Sequence, residues 1–164
     1  MTATLALRPA RASDAEPICL IYNQGIEDRV ATLETELRTP AELREWMAAR
    51  GPRHPVIIAE AAGETTSVTS VVGWGSLNVF NARPAYQHVA DFSVYVERGW
   101  RGQGVGRRLL ERLVEMAREI DYHKMVLSTF PPMPRACGST RTSASPGSAS
   151  TGSRACSTAA GSTR

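Results

Sequence analysis

Residues 89–113, VADFSVYVERGWRGQGVGRRLLERL, decide the fold of this 164-residue chain. The first eight residues are rich in aromatic and β-branched side chains and predict a strand. The segment RGQGVG follows and opens an amphipathic helix. Its glycines let the backbone approach a ligand closely, and the free N–H groups of the first helical turn point toward that ligand. The stretch therefore predicts an anion-binding loop, with positive charge from Arg101, Arg107 and Arg108.

The composition predicts one globular domain. The chain is 42% hydrophobic and holds no apolar run near the roughly 20 residues that a membrane span needs. The first residues, MTATLALRPA, lack the charged-then-apolar order of a signal peptide, so we expect a cytoplasmic protein. The three cysteines, Cys19, Cys137 and Cys156, show no CxxC spacing, so neither a disulfide framework nor a zinc site is predicted.

The basic charge is confined to the C-terminal part of the chain. Residues 131–164 hold four arginines and no acid, whereas residues 1–130 hold 15 basic and 16 acidic side chains. A high isoelectric point would otherwise suggest nucleic-acid binding, but the tail has no aromatic residues on which bases could stack. We therefore expect no nucleic-acid partner and no membrane partner.

The order of predicted elements is strand, two helices, three strands, helix, strand. Residues 5–8 form the first strand, a helix begins after Ser13, and a second helix follows the cap Thr39. Residues 55–61 and 67–77 form a hairpin, with a bulge expected at residues 73–75. The strand at 89–96 and its helix come next, and residues 124–130 form the last strand. This order predicts an α/β fold, a sheet with a crossover helix.

Three segments resemble one family. RGQGVG at residues 101–106 fits the R/Q-x-x-G-x-G/A loop of the GCN5-related N-acetyltransferase (GNAT) superfamily, and a Rossmann or P-loop motif does not fit it. ADFSVYV and IYNQGIEDRVATLETE resemble segments of the phosphinothricin acetyltransferase group within that superfamily. The resemblance covers residues 5–130. One departure is Asp91, where the group usually has Glu.

The resemblance implies a mixed, mostly antiparallel sheet flanked by helices, and acetyl-CoA as the co-substrate. It implies that the backbone of Val94, Tyr95 and Val96 pairs with the pantetheine arm, and that acetyl-CoA enters at a splay between the fifth strand and the next. The pyrophosphate would lie on the amides of residues 103–107, and Arg101 and Arg107 are either ligands or solvated side chains. The implied cofactor-binding loop comprises Arg101, Gly102, Gln103, Gly104, Val105, Gly106 and Arg107.

The implied activity is N-acetylation of a small amino-acid-like amine, of the phosphinothricin or methionine-derivative type. Asp91 is the predicted general base, acting through a water; the alternative is an aspartate that only bonds backbone at the strand start. Arg83 and Tyr86, in R-P-A-Y, are predicted to bind substrate, with the arginine either on an acidic group or exposed in a loop. A homodimer is a possible assembly, because members of the group commonly dimerise.

The histidines, His54, His88 and His123, show no ligand spacing, and no metal site is predicted. His88, three residues before Asp91, is the only one that suggests a proton relay. Tyr22 and Asn23 could line the substrate pocket, although a tyrosine at helical spacing is also a common core residue.

Residues 131–164 do not match the rest of the chain. They contain no Val, Leu, Ile, Phe, Tyr or Trp, so the segment alone should be disordered. A constant shift of reading frame permits strings that resemble the final helix and strands of the group. We therefore expect an N-acetyltransferase domain at 1–130, followed by an out-of-frame tail at 131–164. The alternative function is a truncated, catalytically impaired GNAT-like protein that at most binds CoA.

Overall fold

The computed structural model describes residues 5–29, 31–62 and 69–127. Its strands are β1 (Leu5–Pro9), β2 (Val56–Ala62), β3 (Thr69–Val79), β4 (Val89–Val96) and β5 (Lys124–Val126), and its helices are α1 (Ala15–Glu27), α2 (Pro40–Ala48) and α3 (Val105–Glu119). The predicted order of elements is confirmed. The predicted tail and the end of the predicted last strand lie outside the described residues.

The five strands form one sheet in the order β1-β2-β3-β4-β5. The pairs β1–β2, β2–β3 and β3–β4 are antiparallel. The pair β4–β5 is parallel, because α3 makes a crossover between these two strands. The predicted mixed, mostly antiparallel sheet is therefore confirmed. No helix within the described ranges is long and apolar enough to cross a membrane.

The helices cover the two faces of the sheet. One core cluster joins α3 to the sheet through buried residues such as Val105, Leu109 and Leu113. The other joins α1 and α2 to the opposite face through residues that include Ile18 and Trp74. Because side chains alternate along a strand, β4 serves both cores.

The second helix begins with a complete capping box. The Thr39 side chain accepts a hydrogen bond from the Glu42 amide, and the Glu42 carboxylate accepts one from the Thr39 amide at 2.7 Å. Pro40 occupies the first turn, where its missing N–H costs no helical hydrogen bond. The helix therefore starts where the sequence predicts.

The bulge in β3 lies beside the predicted position. Ala59 of β2 faces Gly73, and Glu60 faces Val71, so the extra residue is Val72. Residues 73–75 pair regularly with β4, which corrects the expectation of a bulge within them. A Cβ at Gly73 would lie 3.0 Å from the Tyr95 carbonyl oxygen and 3.0 Å from Val105, so close packing of α3 explains the glycine there.

Candidate active site

The glycine loop leads directly from β4 to α3. Gly102 and Gly104 have φ angles of +79° and +84°, and a Cβ at either residue would meet nothing within 4 Å. The first α-helical hydrogen bond joins the Arg108 amide to the Gly104 carbonyl, at 3.1 Å. The amides of the preceding turn, Val105 to Arg107, therefore have no acceptor within the helix. This open, backbone-lined turn has the donors that a phosphate group requires.

In the part of the chain that the structure describes, one edge of β4 has no partner strand next to that loop. There β5 pairs with Val89–Asp91 and ends at Val126. The Glu97 amide donates to the Val72 carbonyl of β3 at 3.0 Å. Because the hydrogen-bonding direction alternates along a strand, the backbone groups of Val94 and Val96 point away from β3, toward the unpaired edge. This unpaired edge of β4 lies on the side of β5, and the expected splay between the fifth strand and the next falls on residues beyond 127, outside the described residues.

The arginines of the loop are engaged in ion pairs. Arg101 Nη1 donates to Asp28 Oδ2 at 2.6 Å, and Arg101 Nε donates to the Val96 carbonyl at 3.1 Å. Arg107 pairs with Glu111 along α3, at 2.9 Å. Gln103 donates through its side chain to the Gly99 carbonyl at 2.6 Å, and its amide closes a turn onto Trp100. The loop is thus stabilised by its own hydrogen bonds and by the ion pair with Asp28 at the end of α1.

A cavity of about 300 Å³ lies on the face of the sheet that is opposite to α3, between β4 and the helices α1 and α2. Four aromatic rings form its walls: Tyr95 stacks on Trp74 with centroids 4.7 Å apart, Tyr22 meets Tyr95 edge-on at 4.9 Å, and Trp46 meets Trp74 at 5.9 Å. The remaining lining residues are Glu34, Arg38, Glu42, Leu43, Ser76, Asn78 and Ser93. The cavity can hold a small molecule with an apolar body.

Charges of both signs lie at this cavity. Arg38 Nε donates to Glu34 at 2.9 Å, and Arg38 Nη1 lies 3.7 Å from Glu42. The Arg38 guanidinium lowers the pKa of the Glu34 carboxyl, which therefore stays ionised at neutral pH. Asn23 fixes this segment, because its side chain bonds both the amide and the carbonyl of Arg38 at 2.9 Å. Of the two expected pocket residues, Tyr22 lines the cavity and Asn23 anchors its wall.

Asp91 lies on the cavity face of β4, two residues before Ser93. It pairs across the strands with Asn78, whose side chain donates to Ser93 Oγ at 3.1 Å and accepts from Ser76 Oγ at 3.0 Å. Burial raises the pKa of Asp91, while hydrogen bonds from the Phe92 amide and the Asn78 side chain partly oppose that rise. Asp91 is not among the lining residues; the Ser93–Asn78 pair connects it to them.

The predicted substrate residues of the β3–β4 loop lie apart from this cavity. Arg83 is exposed, and Tyr86 packs edge-on against Phe80 with ring centroids 5.7 Å apart. Neither residue is among those that line the cavity. The structure brings together residues that the sequence did not single out, chiefly Ser76, Asn78 and Ser93. Only the strand alternation that places Ser93 beside Asp91 signals any of them in the sequence.

A five-stranded mixed sheet, a β4 edge without a partner among the described residues and a glycine turn at the start of the crossover helix are the features that the resemblance to acetyltransferases implies. The Acetyltransferase (GNAT) family model matches residues 22–140. The chain belongs to this family, and the predicted enzyme class, N-acetyltransferase, is confirmed.

Within that family, the chain is similar to several enzymes, of which two relatives and one solved structure are described below. The chain is 32% identical to the L-amino acid N-acyltransferase MnaT of Escherichia coli, over 74% of this chain and 68% of that protein. It is also 32% identical to an L-methionine sulfoximine/L-methionine sulfone acetyltransferase of Pseudomonas paraeruginosa, over 74% and 68%. A phosphinothricin acetyltransferase from Sinorhizobium meliloti in complex with acetyl-CoA superposes with a TM-score of 0.74, at 29% identity, over 87% and 74%. The resemblance to the phosphinothricin acetyltransferase group is thereby confirmed.

Proposed function

We propose that the protein transfers an acetyl group from acetyl-CoA to the amino group of a small amino-acid-like substrate, of the phosphinothricin or methionine-derivative type. The observation that carries this proposal is the β4 edge at Val94–Val96, which has no partner strand among the described residues and lies beside the glycine loop. The names of the similar enzymes, which include acetyltransferases of methionine derivatives and of phosphinothricin, support the substrate class.

The residues present fit acetyl-CoA. Along the open edge at Val94, Tyr95 and Val96, the backbone groups of Val94 and Val96 face outward and would pair with the amides of the pantetheine arm, as an added strand would. The turn at Gly102 to Arg107 offers amides to the pyrophosphate, and positive φ angles with open space at Gly102 and Gly104 let the phosphates approach. When bound, acetyl-CoA supplies an activated acyl group as a thioester.

The cavity fits a zwitterionic amine. Aromatic rings of Tyr22, Trp46 and Trp74 would contact the apolar part of the substrate, and Arg38 would attract its carboxylate. The carboxylates of Glu34 and Glu42 would attract the ammonium group of the incoming substrate. Arg83 remains our proposed ligand for a second acidic group, reached from the β3–β4 loop.

Asp91 is the proposed general base. An amine must lose a proton to attack an acyl carbon, and a base near the cavity can accept that proton through a water. The Ser93 hydroxyl and the Asn78 amide lie between Asp91 and the cavity and can orient such a water. The raised pKa of Asp91 makes the carboxylate a stronger base than an exposed aspartate.

The test is acetyl-CoA titration followed by turnover on a panel of amino acids and their derivatives. We expect binding, release of the CoA thiol, and an acetylated product with phosphinothricin or a methionine derivative. Binding without turnover across the whole panel would instead support the alternative, a catalytically impaired GNAT-like protein. Absence of binding would contradict the proposed cofactor site itself.

The composition of residues 131–164 favours that alternative, and we propose that they are translated out of frame from near Pro131. Under this proposal, residues 1–130 form the N-acetyltransferase domain. Sequencing the locus tests it, because the alternative frame must encode the final helix and strands of the group. A variant with the frame restored should be more stable and more active. Equal melting temperature and turnover in the two proteins would contradict the proposal.

A further inference from the structure

Three side chains of metal-ligating type meet where the β4–β5 strand pair begins. They are His88, just before β4, and Asp121 and His123, in the turn between α3 and β5, and their ligand atoms all lie within 4.8 Å of one another. The two imidazole rings are 5.2 Å apart between centroids. His88 and His123 are 35 residues apart in sequence, so no local ligand spacing in the sequence indicates that the fold brings them together.

The backbone holds this cluster in place. The His88 carbonyl accepts hydrogen bonds from the amides of His123, at 2.9 Å, and Lys124, at 3.3 Å. Asp121 has a φ angle of +68°, a left-handed conformation that turns the chain sharply between α3 and β5. The backbone positions of the three residues are therefore set by the turn after α3 and by the start of the parallel strand pair.

We propose that His88, Asp121 and His123 form a binding site for a transition-metal dication of the zinc type. Two imidazoles and one carboxylate are a ligand set that zinc, cobalt and nickel accept, whereas calcium and magnesium prefer oxygen ligands alone. In a tetrahedral zinc site, neighbouring ligand atoms lie about 3.3 Å apart. The ligand atoms lie at most 4.8 Å apart, about 1.5 Å more than this distance, and rotation of the exposed Asp121 and His123 side chains can close the difference.

His88 must release one hydrogen bond to ligate a metal through Nδ1. Nδ1–H donates to the Asp121 carbonyl oxygen at 3.0 Å, because a carbonyl oxygen only accepts, and Nδ1 lies 3.8 Å from Asp121 Oδ2. Nε2 lies 3.2 Å from the side-chain amide of Gln87. Metal binding would therefore move the ring proton from Nδ1 to Nε2, where Nε2–H can donate to the side-chain oxygen of Gln87 once that amide group is flipped.

Occupation of the site would join the starts of β4 and β5. Asp91 and Val126, the last residue pair of the described β4–β5 ladder, lie only three residues beyond His88 and His123. A bound ion would thus stabilise the pairing of β4 with β5 next to the unpaired β4 edge. The three residues belong neither to the glycine loop nor to the cavity, so metal binding at this site is independent of acetyl transfer.

Titration of the metal-free full chain with Co²⁺ or Zn²⁺ tests the site. We expect one ion per chain, visible d–d absorption with Co²⁺, and a rise in Tm of roughly 5–10 °C at about 100 times Kd. His123→Asn and Asp121→Asn should each weaken binding more than tenfold, and Gln87→Ala roughly 10–100-fold through loss of the supporting hydrogen bond. Asparagine tolerates the left-handed conformation at position 121, so that variant should fold.

The matched control is His54→Gln, which removes an imidazole outside the cluster and should leave the affinity unchanged. Melting curves without metal check that each variant is folded. Equal affinity in the parent protein and in His123→Asn would overturn the proposal. A thiolate-to-cobalt charge-transfer band would also overturn it, because cysteines would then hold the ion.

Discussion

Arg101 donates a hydrogen bond from Nη1 to Asp28 Oδ2 at 2.6 Å, and this pair ties the glycine loop to the end of α1. Hydrogen bonds from Arg98, and then from Arg101, lower the pKa of the Asp28 carboxyl, so the ion pair is fully formed at neutral pH. Arg101 also donates to the Val96 carbonyl on the open β4 edge. Arg101, which the resemblance implies as a pyrophosphate ligand, thus also fixes the position of the loop through Asp28 and the Val96 carbonyl.

Asp28→Asn should weaken acetyl-CoA binding about threefold, because an exposed ion pair contributes about 0.2–1 kcal/mol. The expected change is a higher KM for acetyl-CoA with kcat nearly constant, measured by steady-state kinetics. Glu27→Gln is the matched control, since Glu27 pairs with Arg98 and has no contact with Arg101 among the described ion pairs. Equal KM values in the two variants would argue against loop positioning by Asp28.

Gly104→Ala should weaken acetyl-CoA binding roughly tenfold. Its φ of +84° costs an L-residue about 1–2 kcal/mol, while the surrounding space would accept the methyl group. Isothermal titration calorimetry measures the effect. Gly51→Ala is the control, because a Cβ there also meets nothing within 4 Å and its φ is not in the left-handed region. If both variants bind acetyl-CoA as the parent does, the turn conformation is not required.

Asp91→Asn should lower kcat about 10²–10⁴-fold, the usual contribution of a positioned base. Because burial raises the pKa of Asp91 from its usual value of 3.8, the carboxylate is lost as the pH falls through that higher value. The acid limb of the kcat/KM profile should therefore lie above pH 3.8 and disappear in the variant. Asp91→Glu is the control and should retain the limb. An unchanged profile in Asp91→Asn would remove Asp91 from the mechanism.

Asp14→Asn should destabilise the fold by about 2–4 kcal/mol. The buried Asp14 carboxylate accepts two hydrogen bonds from Arg8, at 2.8 and 2.9 Å, and a third from the Arg11 amide at 2.6 Å. Urea unfolding measures the loss. Glu115→Gln, at an exposed ion pair with Arg112, is the control and should change stability little.

The same contact predicts a pH dependence. The hydrogen bond from Arg8 is the main cause that lowers the pKa of Asp14 below its usual value of 3.8. A lowered folded-state pKa means that the stabilisation is complete above pH 3.8 and is lost as the pH falls through the folded value. Acid unfolding should therefore be shallower in Asp14→Asn than in the parent protein. Equal slopes below pH 4 would show that Asp14 does not contribute.

The sequence predicted the fold well because its local signals agree with the tertiary packing. The capping box at Thr39 and the glycines of the loop are local devices, and both act where they were expected. The bulge was predicted at residues 73–75 but lies at Val72. The glycines at 73 and 75 allow close packing of α3 and do not change the strand register.

The cavity could not be predicted in the same way. Arg38 reaches it from an irregular segment, and Asn78 and Ser93 become neighbours only through the β3–β4 register. The approach of His88 to His123 likewise depends on the parallel pairing after α3. Such contacts arise from strand register across long sequence separations, which local patterns do not encode.

Hydrogen–deuterium exchange with and without acetyl-CoA tests the central claim most directly. We expect protection on binding at two backbone segments, the open β4 edge at Val94–Val96 and the first turn of α3 at Val105–Arg107. Protection of both segments in the parent protein, and its reduction in Gly104→Ala, would support the proposed cofactor site. Binding of acetyl-CoA with no change in exchange at either segment would contradict it.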